Sequence, residues 1–296
     1  MHTSQERVFI LGGTGNVGSK TAKDLLAKNI PVTIYARQPE KVYTLFSNNP
    51  LVQVVQGDYS DMTPLKNGLK RHTRLLLLIA DLPNMPSHKR TIASWAYEAG
   101  VRQIVDISSL WSSFPWRTTY IGTQHYYAEK AVYELPDRGA FVALRPGRFM
   151  SNLFHFGLFE NDHVLDTLHP DQPQGWISPN DIGAVAAAIL SDDIQKHGDA
   201  VYELNSDVVT PKQLAEHFSR ALGRPFGYKQ ISALDKYNRL MSSGYMNHSM
   251  AFGLSTTLAS YDIQNPLISD GIQILLGRNP ERLEEYIMDN KHLFKH

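Results

Sequence analysis

"RVFILGGTGNVGSK", residues 7 to 20, decides how the rest of the chain is read. A short apolar run ends in closely spaced glycines, and a helical pattern follows to Lys28. Gly13, Gly15 and Gly18 match G-x-G-x-x-G, and Gly12, Gly15 and Gly18 match G-x-x-G-x-x-G. Alone the pattern is weak. Here it follows a strand directly and opens a helix inside a βαβ unit, which is the context it requires. Glycines permit the tight turn and let backbone N–H groups approach a pyrophosphate, while the helix N-terminus adds partial positive charge. The expectation is a dinucleotide-binding turn built from Gly12, Gly13, Thr14, Gly15, Asn16, Val17 and Gly18. A P-loop is excluded, because Ser19 separates Gly18 from Lys20 and one extra helical residue turns the lysine about 100° away.

Beyond this turn the same rhythm repeats. "PVTIYAR" (31–37), "VQVVQGD" (52–58), "RLLLLIA" (74–80), "QIVDISS" (103–109) and "AFVALRPG" (140–147) read as strands separated by helical segments. Near-continuous apolar strands alternating with helices indicate a parallel sheet covered on both faces. The fold class is α/β, a doubly wound parallel sheet of Rossmann type with six or more strands. Residues 1–150 are expected to form the nucleotide-binding domain and 151–296 a smaller, mostly helical lobe. Part of that lobe returns to the sheet near "AVYELN" (200–205). "TPKQLAEHFSRALG" is a well-signalled helix, capped by Thr210 with Gln213 three residues on and ended by Gly223.

Composition removes several classes. The formal charge is zero, which argues against a nucleic-acid partner. There is no cysteine, so disulfides, thiolate nucleophiles and Cys-ligated metals are excluded, and a reducing, cytoplasmic compartment fits. No apolar run reaches the length of a membrane span, and "MHTSQERVFILGGTG" does not read as a signal peptide. The 12 histidines are scattered without H-E-x-x-H, so no metal is expected. The pattern is compatible with a monomer or a homodimer.

The second strand ends in "YAR". A ribose-binding acid is expected about 20 residues past the glycines, yet Arg37 stands there. An arginine favours the 2′-phosphate of NADP, so NADP(H) is expected over NAD(H), with Lys41 as a possible second cation. Asp58 in "QGDYSD" lies where an adenine would, or serves as a turn residue.

Together "VFILGGTGNVGS", "YARQPEK", "GDYSD", "AEKAVYEL", "LRPGRFMSN", "WISPNDIGAVAAAIL" and "LLGRNPERLEEYI" resemble the NmrA-like atypical short-chain dehydrogenase/reductases over most of the chain. The resemblance implies an NADP-binding Rossmann domain and a small C-terminal substrate lobe. It implies either an active reductase or a protein that binds cofactor only to sense redox state and regulate partners. A tight-NAD epimerase shares the fold, but Arg37 argues against it. In short-chain reductases a Tyr-x-x-x-Lys pair protonates the substrate and holds the nicotinamide ribose. Tyr126 and Lys130 fit that spacing. Lys130 is therefore assigned to cofactor contact and proton handling, and Tyr126 to proton donation. Tyr127 is read as structural and His125 as a weaker acid. The cofactor set also takes in Ala80 and Ser108. The usual catalytic serine falls where Leu110 or Trp111 stands, with Ser112 and Ser113 as replacements. Trp111, Phe114, Trp116, Phe149, Met150, Phe154 and Phe156 follow the fifth and sixth strands. Trp111, Phe114, Phe149 and Met150 are taken as walls for a planar apolar small molecule such as a quinone, enone or aromatic carbonyl. Packing of the small lobe is the competing role for these aromatic residues.

Overall fold

A computed structural model describes residues 6–155, 158–260 and 268–294. The apolar stretch Val8–Leu11 forms β1, buried at every position. Its neighbours follow in alternation: α1 (Asn16–Ala27), β2 (Val32–Ala36), α2 (Pro39–Leu45), β3 (Val52–Gln56), α3 (Thr63–Gly68) and β4 (Arg74–Leu77). Then come α4 (Met85–Glu98), β5 (Gln103–Ile107), a short 3₁₀ turn (Leu110–Ser113), α5 (Tyr120–Tyr133) and β6 (Ala140–Pro146). The ladders joining β6, β5, β4, β1, β2 and β3 are all parallel. Every strand of this series therefore ends at the same sheet edge. The order reverses between β4 and β1, the switch point where an open α/β sheet leaves a crevice for a ligand.

The chain forms two compact units, and a single cut at residue 150 does not describe them. The first takes the residues up to Ser113, then 124–145 and 179–203; the second takes 114–123, 146–178 and 204 onward. β7 (Arg148–Phe149), α6 (Asn152–His155), β8 (Phe159–Glu160), β9 (His163–Asp166) and β10 (Gln174–Ile177) precede the return to the first unit. That return comprises α7 (Pro179–Ser191), α8 (Ile194–His197) and β11 (Val201–Leu204), and β11 adds a seventh, edge strand beside β6. β12 (Asp207–Val209), α9 (Pro211–Leu222), β13 (Gly227–Gln230), α10 (Ala233–Ser242), α11 (His248–Ser260), α12 (Gly271–Leu276) and α13 (Leu283–Asn290) complete the second unit.

The first unit's core is the apolar strand residues packed on helix stripes, among them Phe9, Leu75, Ile92 and Ile104. The second unit is largely helical and also holds two three-stranded sheets, β12-β10-β7 and β13-β9-β8. Its core gathers around Phe218, with Phe154, Phe159 and Phe226 in ring contact. α9 carries the capping box read from the sequence, with Gln213 N–H donating to Thr210 Oγ1 at 3.2 Å and Gly223 ending it at φ 67°.

α1 and α7 pack closely in the first unit. Thr21 Oγ1 donates to the Gly183 carbonyl at 3.1 Å, and a Cβ at Gly183 would meet Lys20 Cβ at 2.7 Å and the Val17 carbonyl oxygen at 2.8 Å. Gly183→Ala is expected to cost about 1–3 kcal/mol by overpacking. Urea unfolding of the variant checks this, and an unchanged midpoint would show that the two helices separate freely.

Candidate functional site

The site is built on the edge where β1 to β5 end. After β1 the chain turns at Gly12, which has φ +73°, and the Gly15 N–H donates to the Gly12 carbonyl at 3.0 Å. α1 then starts against this turn. A Cβ on Gly18 would lie 2.3 Å from the Gly12 carbonyl oxygen, so a side chain there would push the helix off the loop. A Cβ on Gly15 would meet only the Gly12 carbonyl oxygen, at 3.5 Å, which leaves open space above the loop. The result is a closely wound turn with an open face at the N-terminus of a twelve-residue helix. These features fit a pyrophosphate: backbone donors, a favourable helix dipole and no side chain in the way.

The other expected cofactor residues follow neighbouring strands along the same edge. Arg37 is exposed just past β2, and its charge helps lower the Asp58 carboxyl. The larger cause of that lowering is Ser60, whose hydroxyl and backbone N–H both donate to Asp58 Oδ1, at 2.5 and 2.8 Å. Asp58 thus forms the turn that its residue type allows, and its backbone carbonyl accepts from Tyr35 Oη at 2.7 Å. Ala80 is exposed after β4, two residues past Leu78, whose side chain lies against Gly12. Ser108 follows β5 and is buried. Lys41 is exposed on α2.

Lys130 and Tyr126 stand one turn apart on α5. Both occupy the exposed face of α5, and the Lys130 ammonium is taken by Glu134 in the next turn, which raises its pKa. The inward face is His125, Ala128, Glu129 and Val132. Glu129, rather than Lys130, reaches the end of β5: the Ser108 hydroxyl donates to Glu129 Oε1, and Ser112 Oγ donates to the same oxygen at 3.0 Å. Arg145, near the end of β6, closes a bidentate pair on Glu129, with Nε at 3.0 Å and Nη2 at 2.6 Å. Its Nη1 donates to Ser113 Oγ at 3.0 Å, and that hydroxyl donates to Glu203 at 2.5 Å.

A second buried pair lies beside this network. Lys89 of α4 and Asp106 of β5 are fully buried, 2.5 Å apart, and Lys89 also donates to the Ile107 carbonyl at 3.0 Å. Burial pushes the Asp106 carboxyl up to about 6 despite the lysine. His125 is buried, which holds its imidazole well below the usual histidine range, and the Lys89 charge adds to the effect. Both inward stripes carry the helical i, i+3, i+4, i+7 spacing: 125, 128, 129 and 132 on α5, and 89, 92, 93 and 96 on α4. That spacing was available in the sequence and points Lys130 outward.

Of the expected substrate walls, Met150 is fully buried in the second unit's core beside Val164, Trp176 and Phe218, so it is packing. Phe154 stacks edge-on to Phe218 and belongs with that core. Trp111 in the 3₁₀ turn, Phe114 and Phe149 are each half-buried, and Trp116 is 64% exposed. Phe156 lies outside the described residues. Among the described residues no cluster of ligands could hold a metal ion, and no helix is long and apolar enough to cross a membrane.

Residues 4–287 match the NmrA-like family. The chain belongs to this family. A relative from Streptomyces griseus, the (4-alkanoyl-5-oxo-2,5-dihydrofuran-3-yl)methyl phosphate reductase, is 31% identical over 76% of the chain and 77% of its own length. The NADPH complex of an NADPH-dependent quinone oxidoreductase from Escherichia coli superposes with a TM-score of 0.79 at 24% identity, covering 97% of this chain and 100% of that one. NmrA itself, a negative transcriptional regulator in complex with NADP, gives 0.75 at 19% identity, covering 97% and 95%. These likenesses show the fold.

The Glu129–Arg145 pair and the exposed Lys130–Glu134 pair differ in what they support. Glu129→Ala leaves a half-buried guanidinium and the Ser108 hydroxyl without their acceptor and is expected to cost about 2–4 kcal/mol. Lys130→Ala is expected to leave the unfolding midpoint where it is. Denaturant titration of the two variants side by side checks the contrast, and equal midpoints would contradict it.

Proposed function

We propose that this NmrA-like protein is an NADPH-dependent reductase of a small, planar, apolar acceptor, of the quinone or enone class. The observation that carries the reading is the glycine turn, kept open at the head of α1, with an arginine instead of a carboxylate past β2. Gly12 to Gly18 would hold the pyrophosphate, and Arg37 would meet the 2′-phosphate through charge-assisted hydrogen bonds. Bound there, the cofactor supplies a hydride.

Glu129 and Arg145 keep Ser108 fixed at the end of β5. This reading draws no proton from Lys130 or Tyr126, since the first is engaged by Glu134 and both face outward. Quinones and enones suit such a site, because reduction spreads negative charge over a conjugated oxygen that water can protonate. The reductase names borne by the Streptomyces and Escherichia proteins support the same reading. A second reading, a cofactor-binding regulator without turnover, is favoured by the engagement of Ser108 with Glu129 and by the likeness to NmrA.

NADPH oxidation followed optically against a panel of quinones and enones separates the two. The reductase reading expects turnover that Lys130→Met and Tyr126→Phe leave within about twofold of wild type, because no transition-state contact is lost. Loss of activity in Lys130→Met would restore the proton relay on α5. Cofactor binding with no oxidation across the panel would favour the regulator.

A further inference from the structure

We propose that the second unit holds a binding site for a small organic anion, a short-chain carboxylate, in a cavity walled by Arg148, Trp176 and Lys236. The site lies wholly within that unit and does not depend on the reductase reading.

The cavity encloses about 80 Å³. Most of its lining is apolar, with Leu153, Phe159, Leu214 and Leu240 among the walls, and its charged groups are Arg148, Asp166 and Lys236. Lys236 is almost completely buried, 2.5 Å from Asp166 Oδ1. Arg148 Nη1 is 3.4 Å from Asp166 Oδ2, and its guanidinium lies over the Trp176 ring, 5.0 Å from the centroid. One carboxylate therefore faces two cations. Asp166 is already committed, since Oδ1 also accepts the Thr167 N–H at 2.7 Å. The Gln174 side chain accepts from Arg148 but is neutral.

Among the described residues the lining thus carries one positive charge in excess, in a largely apolar setting, which is costly unless an anion neutralises it. The charge balance shows in the titration directions. Burial works to raise Asp166, yet Lys236 and Arg148 overcome it and hold the carboxyl at about 2, while burial lowers Lys236. A third donor has no partner: Trp176 is 2% exposed, and its Nε1–H has no acceptor among the described residues. Unmet buried donors of this kind need an explanation, and a bound acceptor is one.

These features select the ligand. The excess charge calls for a monoanion. The donors suit a carboxylate, which accepts several hydrogen bonds at once. The apolar walls call for a short hydrocarbon body. An apolar cavity of about 150 Å³ admits benzene, so this smaller one suits a chain of a few carbons. Arg148 keeps 24% of its side chain exposed, which leaves the polar end open to entry.

The probe is butanoate, titrated into the full-length protein without NADPH and followed by calorimetry and by the indole N–H resonances in ¹H–¹⁵N spectra. Trp176→Phe assigns the Trp176 signal. The expected result is one-to-one binding that moves the Trp176 resonance, with no response to the neutral isostere butanamide. Lys236→Met is expected to weaken binding by about tenfold or more through loss of a charged donor. Should that variant fail to fold, butanoate against butanamide on the wild-type chain decides alone. No response to millimolar butanoate, equal binding of butanamide, or binding that leaves the Trp176 resonance unmoved would overturn the proposal. The absence of NADPH keeps this outcome independent of any failure to find turnover.

Discussion

The approach of Gly18 to the Gly12 carbonyl is the constraint from which the candidate cofactor site follows. A side chain at Gly18 would stand 2.3 Å from that oxygen, so only glycine lets α1 begin directly on the turn after β1. Because α1 begins there, its first-turn N–H groups open onto the sheet edge at the switch point between β1 and β4. Gly12 and Gly13 tie the same turn to its neighbours, one against Leu78 after β4 and the other against Ile34 of β2. Parallel pairing then places Arg37, Asp58, Ala80 and Ser108 at successive strand ends along one edge. The backbone organises the candidate site before any side-chain chemistry enters.

A layer of buried charge supports the far part of that edge. Lys89 with Asp106, and Glu129 with Arg145, join α4, β5, α5 and β6 just below the strand ends. Such pairs contribute little net stability compared with apolar packing, but removing one partner leaves a stranded charge. Their effect is to fix where the pieces meet. Ser108 and Ser112 share Glu129 as acceptor, so the end of β5 and the start of the loop after it have defined positions.

Much of the fold was legible in the sequence, because β1, β2, β4 and β5 are buried at every position and so read as near-continuous apolar runs, interrupted only by residues such as Arg74 and Asp106. The return of the chain to the sheet was legible as well, in "AVYELN". The small sheets of the second unit were not. Strands such as β7 and β8 have two residues each and carry no periodicity to read. The glycine turn and Arg37 stood out by residue type and spacing. The spacing of Tyr126 and Lys130 was legible too, but it leaves open which face of α5 is apolar and which residue reaches the end of β5. Ala128 and Val132 answer that question and bring Glu129 inward. Its partnership with Arg145 joins a helix to the strand that follows it, and neither element's own periodicity reveals such a pair.

The central claim is that the edge built by Gly12 to Gly18 receives a dinucleotide and that Arg37 reads its 2′-phosphate. Calorimetric titration of the wild-type chain and Arg37→Met with NADPH and with NADH tests it most directly. The account predicts that wild type prefers NADPH and that Arg37→Met loses about tenfold or more of that preference, with NADH affinity little changed. Equal affinity of wild type for the two cofactors, or a preference that survives in Arg37→Met, would contradict it.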